Sequence, residues 1–386
     1  MDEQRRHQEI WRILYRLTNG PIRGIFRLDS EPCSVDGPCI VISNHVTNYD
    51  PFLVAMSFPD KQLYYVASEH IFRHALASRA LEWMLSPIAR KKGDSGFGAV
   101  REILKRTKKG SSICLFAEGD CSWDGYSAPV LPATGKMVRS SGATLVTYRI
   151  EGGYFTSPRW GRGIRRGKIR GHAVGVYPPE ELKKMKGPAI TELIDRDLFE
   201  DAWTRQAKEQ VRFRSKHPAE DLETALYLCP GCRRIGTLQS SGFTLRCREC
   251  GLEITYREDG LFHPDVPFAT VADWDQWQRN ALLNGDYVHG DVLFSDEAVS
   301  FRRILSDHHT ETLSGGRLVQ WKDHIRCGSH VFPLKDIENM AMVKRNILLF
   351  TCGGEYYEIR CGKKSNMRKY LELWKQADVS AEHENR

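Results

Sequence analysis

Along this chain the spacing of apolar residues switches between helical and strand-like, and the switches mark out its parts. Over residues 8–28, Ile10, Trp11, Ile13, Leu14, Tyr15 and Leu17 are broken by Arg12 and Arg16. Asn19-Gly20-Pro21 interrupts them, and Ile22, Ile25, Phe26 and Leu28 resume with Arg23 and Arg27. The pattern predicts two short basic amphipathic helices, which either lie in a membrane interface or pack as a hairpin on the core. A short apolar run, Ile40 to Ile42, predicts a buried strand. Helices are expected over 52–58, 69–86, 96–109 and 190–213. Strands are expected over 63–67, 113–116, 143–150 and 169–176, with a further one delivering Arg90. Such alternation is that of an α/β domain.

Beyond residue 222 the character changes. Cys229-Pro-Gly-Cys232 and Cys247-Arg-Glu-Cys250 stand with fourteen residues between them. Each pair can form a turn offering two thiolates, and two such turns make a tetrahedral four-thiolate site for a structural zinc. After a helix over 271–283 carrying Trp274 and Trp277 come short alternating strands at 292–294, 299–302, 318–321, 331–333, 347–351 and 356–360. A last amphipathic helix is expected over 365–375, with Met367, Tyr370, Leu371 and Trp374 at helical spacing.

Composition narrows the class. With 386 residues the chain is long enough for more than one domain. Hydrophobic residues make up 41% of it and its net charge is +7, which suits contact with an anionic partner. No run of about eighteen apolar residues predicts a membrane-spanning helix. The charged N-terminus, with Asp2, Glu3, Arg5 and Arg6, does not read as a signal peptide. In that setting the eleven cysteines favour metal over disulfides. The expectation is a cytoplasmic protein, peripheral on the inner face of a membrane.

The chemistry is concentrated where the first strand ends. Ser43-Asn44-His45 is followed, after four residues, by Asp50-Pro51 at the start of a helix. A carboxylate one turn from a histidine fixes its tautomer and leaves the other ring nitrogen to take a proton from a hydroxyl. This H-x-x-x-x-D run resembles the first motif of the glycerolipid acyltransferases of the lysophosphatidic-acid type. Ile88-Ala89-Arg90-Lys91-Lys92-Gly93-Asp94, a strand delivering an arginine into a basic loop, resembles the second. Phe116-Ala117-Glu118-Gly119-Asp120-Cys121-Ser122 resembles the third, Phe-Pro-Glu-Gly-Thr-Arg-Ser, with Ala117, Asp120 and Cys121 as departures. Lys136 follows Gly135 as in the family's next segment.

That resemblance implies an acyltransferase-type αβ domain with a mixed central sheet. It implies transfer of a fatty acyl group from an acyl thioester, acyl-CoA or acyl carrier protein, to the hydroxyl of a lysophospholipid such as 1-acyl-glycerol-3-phosphate. His45 and Asp50 are the implied catalytic pair. Arg90, Glu118, Gly119 and Lys136 are the implied substrate-binding residues. A basic stretch, Arg159, Arg162, Arg165, Arg166, Lys168 and Arg170, has aromatic neighbours in Tyr154, Phe155 and Trp160 and no acid from 155 to 170. It is expected to grip lipid headgroups or the phosphates of coenzyme A, with nucleic acid not expected as a partner. The strands of the last third, ended by one helix, resemble a pleckstrin-homology-like barrel. The expected layout is therefore an amphipathic membrane-contacting segment over 1–30, an acyltransferase domain over 31–222, a zinc ribbon over 223–262 and a pleckstrin-homology-like domain over 263–386. The competing reading is a non-catalytic membrane adaptor that uses the ribbon and the barrel.

Overall fold

The computed structural model describes residues 3–68, 83–90, 96–265, 267–287, 290, 292–305, 309–313 and 315–375. Most of the helix expected over 69–86 and the basic loop at 91–95 lie outside these residues. The chain forms two compact units, one of described residues up to 215 without 160–162, the other of 160–162 and 216–375.

In the first unit α1 (Glu3–Phe26) leads to β1 (Leu28–Ser30), β2 (Cys39–Ser43), α2 (Asp50–Ala55), β3 (Leu63–Ser68) and β4 (Ile88–Arg90). Then follow α3 (Phe97–Lys108), β5 (Ser112–Leu115), α4 (Thr134–Ser141), β6 (Thr144–Glu151), α5 (Gly153–Thr156) and β7 (Ile169–Tyr177). The unit closes with α6 (Pro179–Lys184), α7 (Gly187–Leu198) and α8 (Ala202–Glu209). The sheet order is β1-β7-β6-β2-β5-β3-β4. β6, β2, β5, β3 and β4 run parallel, and β7 is antiparallel to β6, so the sheet is mixed. Every residue of β2 is buried. Cys39 and Val41 join the core that holds Trp11 of α1 and Leu53 of α2, while Ile40 and Ile42 join the core built with α3, α4 and α7. Covered on both faces, the strand reads as continuous apolar sequence rather than an alternation.

Two expectations over helices are corrected. α1 runs unbroken through Pro21. The proline removes one N–H and crowds the carbonyl of Leu17, but Leu17 is 68% exposed, so solvent replaces the lost bond. On the other side Trp11 and Phe26 are buried, and Trp11 Nε1 donates to the Phe58 carbonyl at 3.0 Å, which anchors the helix to the core on either side of Pro21. One face of α1 thus belongs to the core, and Ile13, Leu17 and Ile25 stay exposed beside Arg12 and Arg16. The long helix expected over 190–213 is two helices. Asp201 caps α8 by accepting from the N–H groups of Trp203 and Thr204, each at 3.0 Å, and the Ser127 N–H bonds the Glu200 carbonyl between them.

The second unit holds a four-stranded antiparallel sheet of β8 (Leu238–Ser241), β9 (Thr244–Cys247), β10 (Glu253–Tyr256) and β11 (Phe262–His263). α9 (Val271–Asn284) follows, opened by a reciprocal capping box between Thr270 and Asp273. The larger antiparallel sheet contains β12 (Phe294–Ile304), β13 (Thr310–Leu313), β14 (Gly316–Gln320), β15 (His324–Cys327), β16 (His330–Pro333), β17 (Ala341–Val343), β18 (Ile347–Cys352) and β19 (Glu355–Cys361). Of the two strands expected at 292–294 and 299–302, the second lies within the single bulged strand β12 and the first reaches it only at Phe294. The order is β16-β15-β14-β12-β19-β18-β17 with β13 on β12. Among the described residues no pairing joins β16 to β17, so the closed barrel expected here is not found. Residues 368–375 are helical, and buried Arg368 forks onto buried Asp275 of α9 at 2.5 and 2.8 Å. Gln278 of α9 accepts the Tyr227 N–H at 2.9 Å. These buried polar bonds tie the segment before Cys229 and the last helix to α9.

Candidate active site and cysteine cluster

The parallel strands β2, β5 and β4 end at one edge of the sheet, and the three motifs follow from those ends. That is where α/β sheets hold ligands. At the end of β2 buried Asn44 exchanges two bonds with the backbone of β6. Its Nδ2 donates to the Ile150 carbonyl at 2.9 Å, and the Ile150 N–H donates to its Oδ1 at 2.7 Å. The chain then turns into α2, whose first residue, Asp50, is fully buried. Asp50 Oδ2 lies 2.8 Å from His45 Nδ1 and accepts the Val46 N–H at 2.7 Å, and the Thr47 N–H reaches both carboxylate oxygens at 3.0 and 3.1 Å. Several charge-assisted bonds hold this buried carboxylate and make it a rigid acceptor for one ring nitrogen.

The other nitrogen, His45 Nε2, meets the Cys121 sulfur at 3.1 Å. Cys121 is 4% exposed, and Phe116 stacks on the imidazole with ring centres 4.5 Å apart. Burial pulls the pKa of His45 down, but Cys121 and the Asp50 carboxylate outweigh it and raise it to about 10. Cys121, Asn44 and Phe116 were not singled out from sequence as members of the site. The only sequence signal for Cys121 was its place, where the third motif of the resembled family carries arginine.

Glu118 acts on backbone. Its Oε1 accepts the His45 N–H and its Oε2 the Ala128 N–H, each at 2.9 Å, and the Ser122 N–H donates to the His45 carbonyl at 2.9 Å. The third motif therefore clamps the first. Burial raises the Glu118 carboxyl to about 7, held back by those two N–H donors. Gly119, at φ +83°, adopts the left-handed conformation that glycine reaches without strain. Arg90 ends β4, two strand spacings from β5 or about 10 Å, on the same edge and with no ion-pair partner among the described residues. Lys136 stands apart: it is exposed on α4 and makes no contact with His45, Asp50 or Glu118 among the described residues. The glycine before it serves packing. A Cβ on Gly135 would sit 2.1 Å from the Gly187 carbonyl oxygen, so α4 and α7 approach at their backbones.

The aromatic residues of the basic stretch are not surface groups, contrary to expectation, and most of its cations have partners. Tyr154, Phe155 and Trp160 are core residues at 2% exposure or less. Arg159 is buried, pairs with Asp120 and lies over the Trp123 ring. Arg162 pairs with Asp221 at 3.4 Å, Lys168 with Asp29 and Arg170 with Glu209, each at 3.3 Å. Arg165 is buried and bonds the Phe155 carbonyl. The acids absent from the local sequence are supplied by distant segments.

In the second unit the Sγ atoms of Cys229, Cys232, Cys247 and Cys250 all lie within 4.8 Å of one another. Cys229 to Cys250 is 3.6 Å and Cys232 to Cys247 is 3.7 Å. A disulfide needs about 2.05 Å, whereas four sulfurs about 2.3 Å from one zinc stand roughly 3.8 Å apart. Gly231 leaves room for this: a Cβ there would be 3.1 Å from the Cys250 sulfur.

A histidine oriented by a buried carboxylate, at the carboxyl edge of a mixed sheet, is an arrangement able to take a proton from a hydroxyl. Residues 26–151, which span all three motifs, match the family model described as Acyltransferase. Over residues 26–151 the chain is thus similar to acyltransferases. Among solved structures it is similar to the 1-acyl-sn-glycerophosphate (LPA) acyltransferase, PlsC, from Thermotoga maritima, at 18% identity over 48% of this chain and 79% of that one, with a TM-score of 0.37.

Proposed function

We propose that this protein moves a fatty acyl group from acyl-CoA or an acyl carrier protein to the free hydroxyl of a lysophospholipid, in phospholipid biosynthesis or remodelling. 1-Acyl-glycerol-3-phosphate is the preferred acceptor. The observation that carries this reading is the 2.8 Å bond between His45 Nδ1 and buried Asp50. Asp50 orients the ring, and His45 Nε2 takes the hydroxyl proton as the oxygen attacks the acyl carbonyl. The test is incubation of the purified protein with a panel of lysophospholipids and acyl thioesters, with products read by mass spectrometry. No acylated product from any pair would refute it.

Arg90, on the same sheet edge, offers a planar fork that matches phosphate oxygens. Hydrogen bonds to charged groups contribute about 1.5–3 kcal/mol, or roughly tenfold and more in affinity. Arg90→Ala is expected to raise the Michaelis constant for a phosphate-bearing acceptor by about tenfold and leave that for the acyl donor unchanged. Equal constants in mutant and wild type would remove Arg90 from the acceptor site.

The same reading places the enzyme peripherally on the cytoplasmic face of a membrane. No helix of the described residues is long and apolar enough to cross one. What supports surface binding is α1, which sets exposed Ile13, Leu17 and Ile25 beside Arg12 and Arg16. Leu17 is exposed, so Leu17→Asp costs little stability. It is expected to weaken binding to anionic vesicles at least tenfold in a sedimentation assay, since burying a leucine side chain contributes about 1.5–3 kcal/mol. Undiminished binding would move the contact elsewhere. For the second unit the reading assigns one structural zinc to the four cysteines, supported by the spacing of their sulfurs, and a scaffolding role to the larger sheet, whose strands and final helix resemble a pleckstrin-homology-like domain.

A further inference from the structure

We propose that Cys121 is a catalytic nucleophile that carries the acyl group as an enzyme thioester between donor and acceptor. The inference rests on the acyl-transfer function above and changes its route. Three groups stand in the order that nucleophilic catalysis requires. The Cys121 sulfur is 3.1 Å from His45 Nε2, and His45 Nδ1 is 2.8 Å from an oxygen of buried Asp50. A nucleophile within reach of a base, and that base held by a third group, is the geometry of an activated thiolate. The arrangement is built from two strand ends and locked by Glu118, which bonds the His45 backbone from the motif that carries Cys121.

The position of Cys121 has a consequence for the direct route. The thiol occupies the ring nitrogen that the acceptor hydroxyl would need. The charged and titratable groups facing His45 are Asp50 from α2 and Cys121 and Glu118 from the third motif. Cys121 and Asp50 both favour the protonated ring, against the opposing pull of burial. An imidazolium is a poor base but a good acid, and a covalent route uses it as an acid first.

In the first half-reaction the Cys121 thiolate attacks the donor's thioester carbonyl. A carbon–sulfur bond to Cys121 forms, the donor's carbon–sulfur bond breaks, and the departing thiolate takes the proton from His45 Nε2. The products are acyl-Cys121, free thiol and neutral His45. In the second half-reaction the acceptor hydroxyl gives its proton to Nε2 while its oxygen attacks the acyl-Cys121 carbonyl. The ester bond forms, the carbon–sulfur bond breaks, and the thiolate and imidazolium are restored. Nothing is oxidised or reduced.

The test uses the full chain and the acyl thioester that supports transfer in the lysophospholipid panel, mixed without acceptor. Intact mass spectrometry is expected to show one added acyl group. Peptide mapping places it on Cys121, neutral hydroxylamine removes it, and added acceptor discharges it at least as fast as turnover. Cys121→Ala is expected to lose the adduct and more than a hundredfold of transfer. In that variant nuclear magnetic resonance of the imidazole is expected to show a His45 pKa lower than in the wild type. Absence of a wild-type adduct while transfer proceeds, or an adduct on another residue, would overturn the proposal. So would transfer within about threefold of wild type in Cys121→Ala. In each of those cases an inactive His45→Ala protein would leave the acyl-transfer function standing. Failure of the whole panel would instead remove the function on which the inference rests.

Discussion

His45→Ala is expected to abolish acyl transfer, lowering kcat by at least a hundred- to ten-thousandfold with the fold intact. General acid–base catalysis alone contributes that range. The covalent route makes His45 needed twice, as the acid that releases the donor thiol and as the base that activates the acceptor. Its side chain is only partly buried, at 21% exposure, while the strand end beneath it is held by Asn44, Asp50 and Glu118. Truncating the ring therefore leaves the backbone anchors in place, and thermal melting is expected to change by only a few degrees. Steady-state rates with the best donor and acceptor, measured beside a melting curve, make the check. Turnover within tenfold of wild type would take His45 out of the chemistry and remove the central assignment.

The second large effect belongs to the cysteine cluster. Cys247→Ser is expected to leave the purified protein without zinc, against one zinc per chain in the wild type. Structural zinc in small ribbon-like sites contributes on the order of 10 kcal/mol or more to local folding, because the sulfurs have no other reason to converge. The damage has a boundary. Trp160, Tyr256, Phe262 and Trp274 form a chain of edge-to-face rings, with successive centres 5.4, 5.7 and 5.7 Å apart. Trp274 Nε1 also donates to the Leu228 carbonyl at 2.9 Å. These contacts do not involve metal, so hydrogen exchange is expected to rise around 229–236 and 247–252 and much less along α9. Acyl transfer, whose residues all lie in the first unit, is expected to keep about half its rate or more. Elemental analysis and exchange read the two halves of the prediction. Full zinc in Cys247→Ser would break the four-ligand assignment, and complete loss of activity in a folded variant would point to a catalytic metal.

Local pattern carried much of this protein. Ile40 to Ile42 reads as a buried strand because a central parallel strand is covered on both faces, and its neighbours in sequence alone reveal that. His45 and Asp50 are one tight turn apart, so their contact follows from spacing. The same is true within each cysteine pair, where two intervening residues make the knuckle.

What sequence could not supply were contacts between segments far apart in the chain. The run from Arg159 to Arg170 reads as unpaired charge because its acids, Asp120, Asp221, Asp29 and Glu209, come from four other places. Pro21 reads as a break, since nothing local says that Trp11 and Phe26 will be buried on either side of it. Cys121 reads as a lost arginine, 76 residues from the histidine it meets. Adjacent parallel strands set those two positions side by side, because β2 and β5 pair in register and release their chains at the same edge. Spacing within a turn determined the histidine and its carboxylate. Only the pairing of strands decided what the histidine's second nitrogen would face.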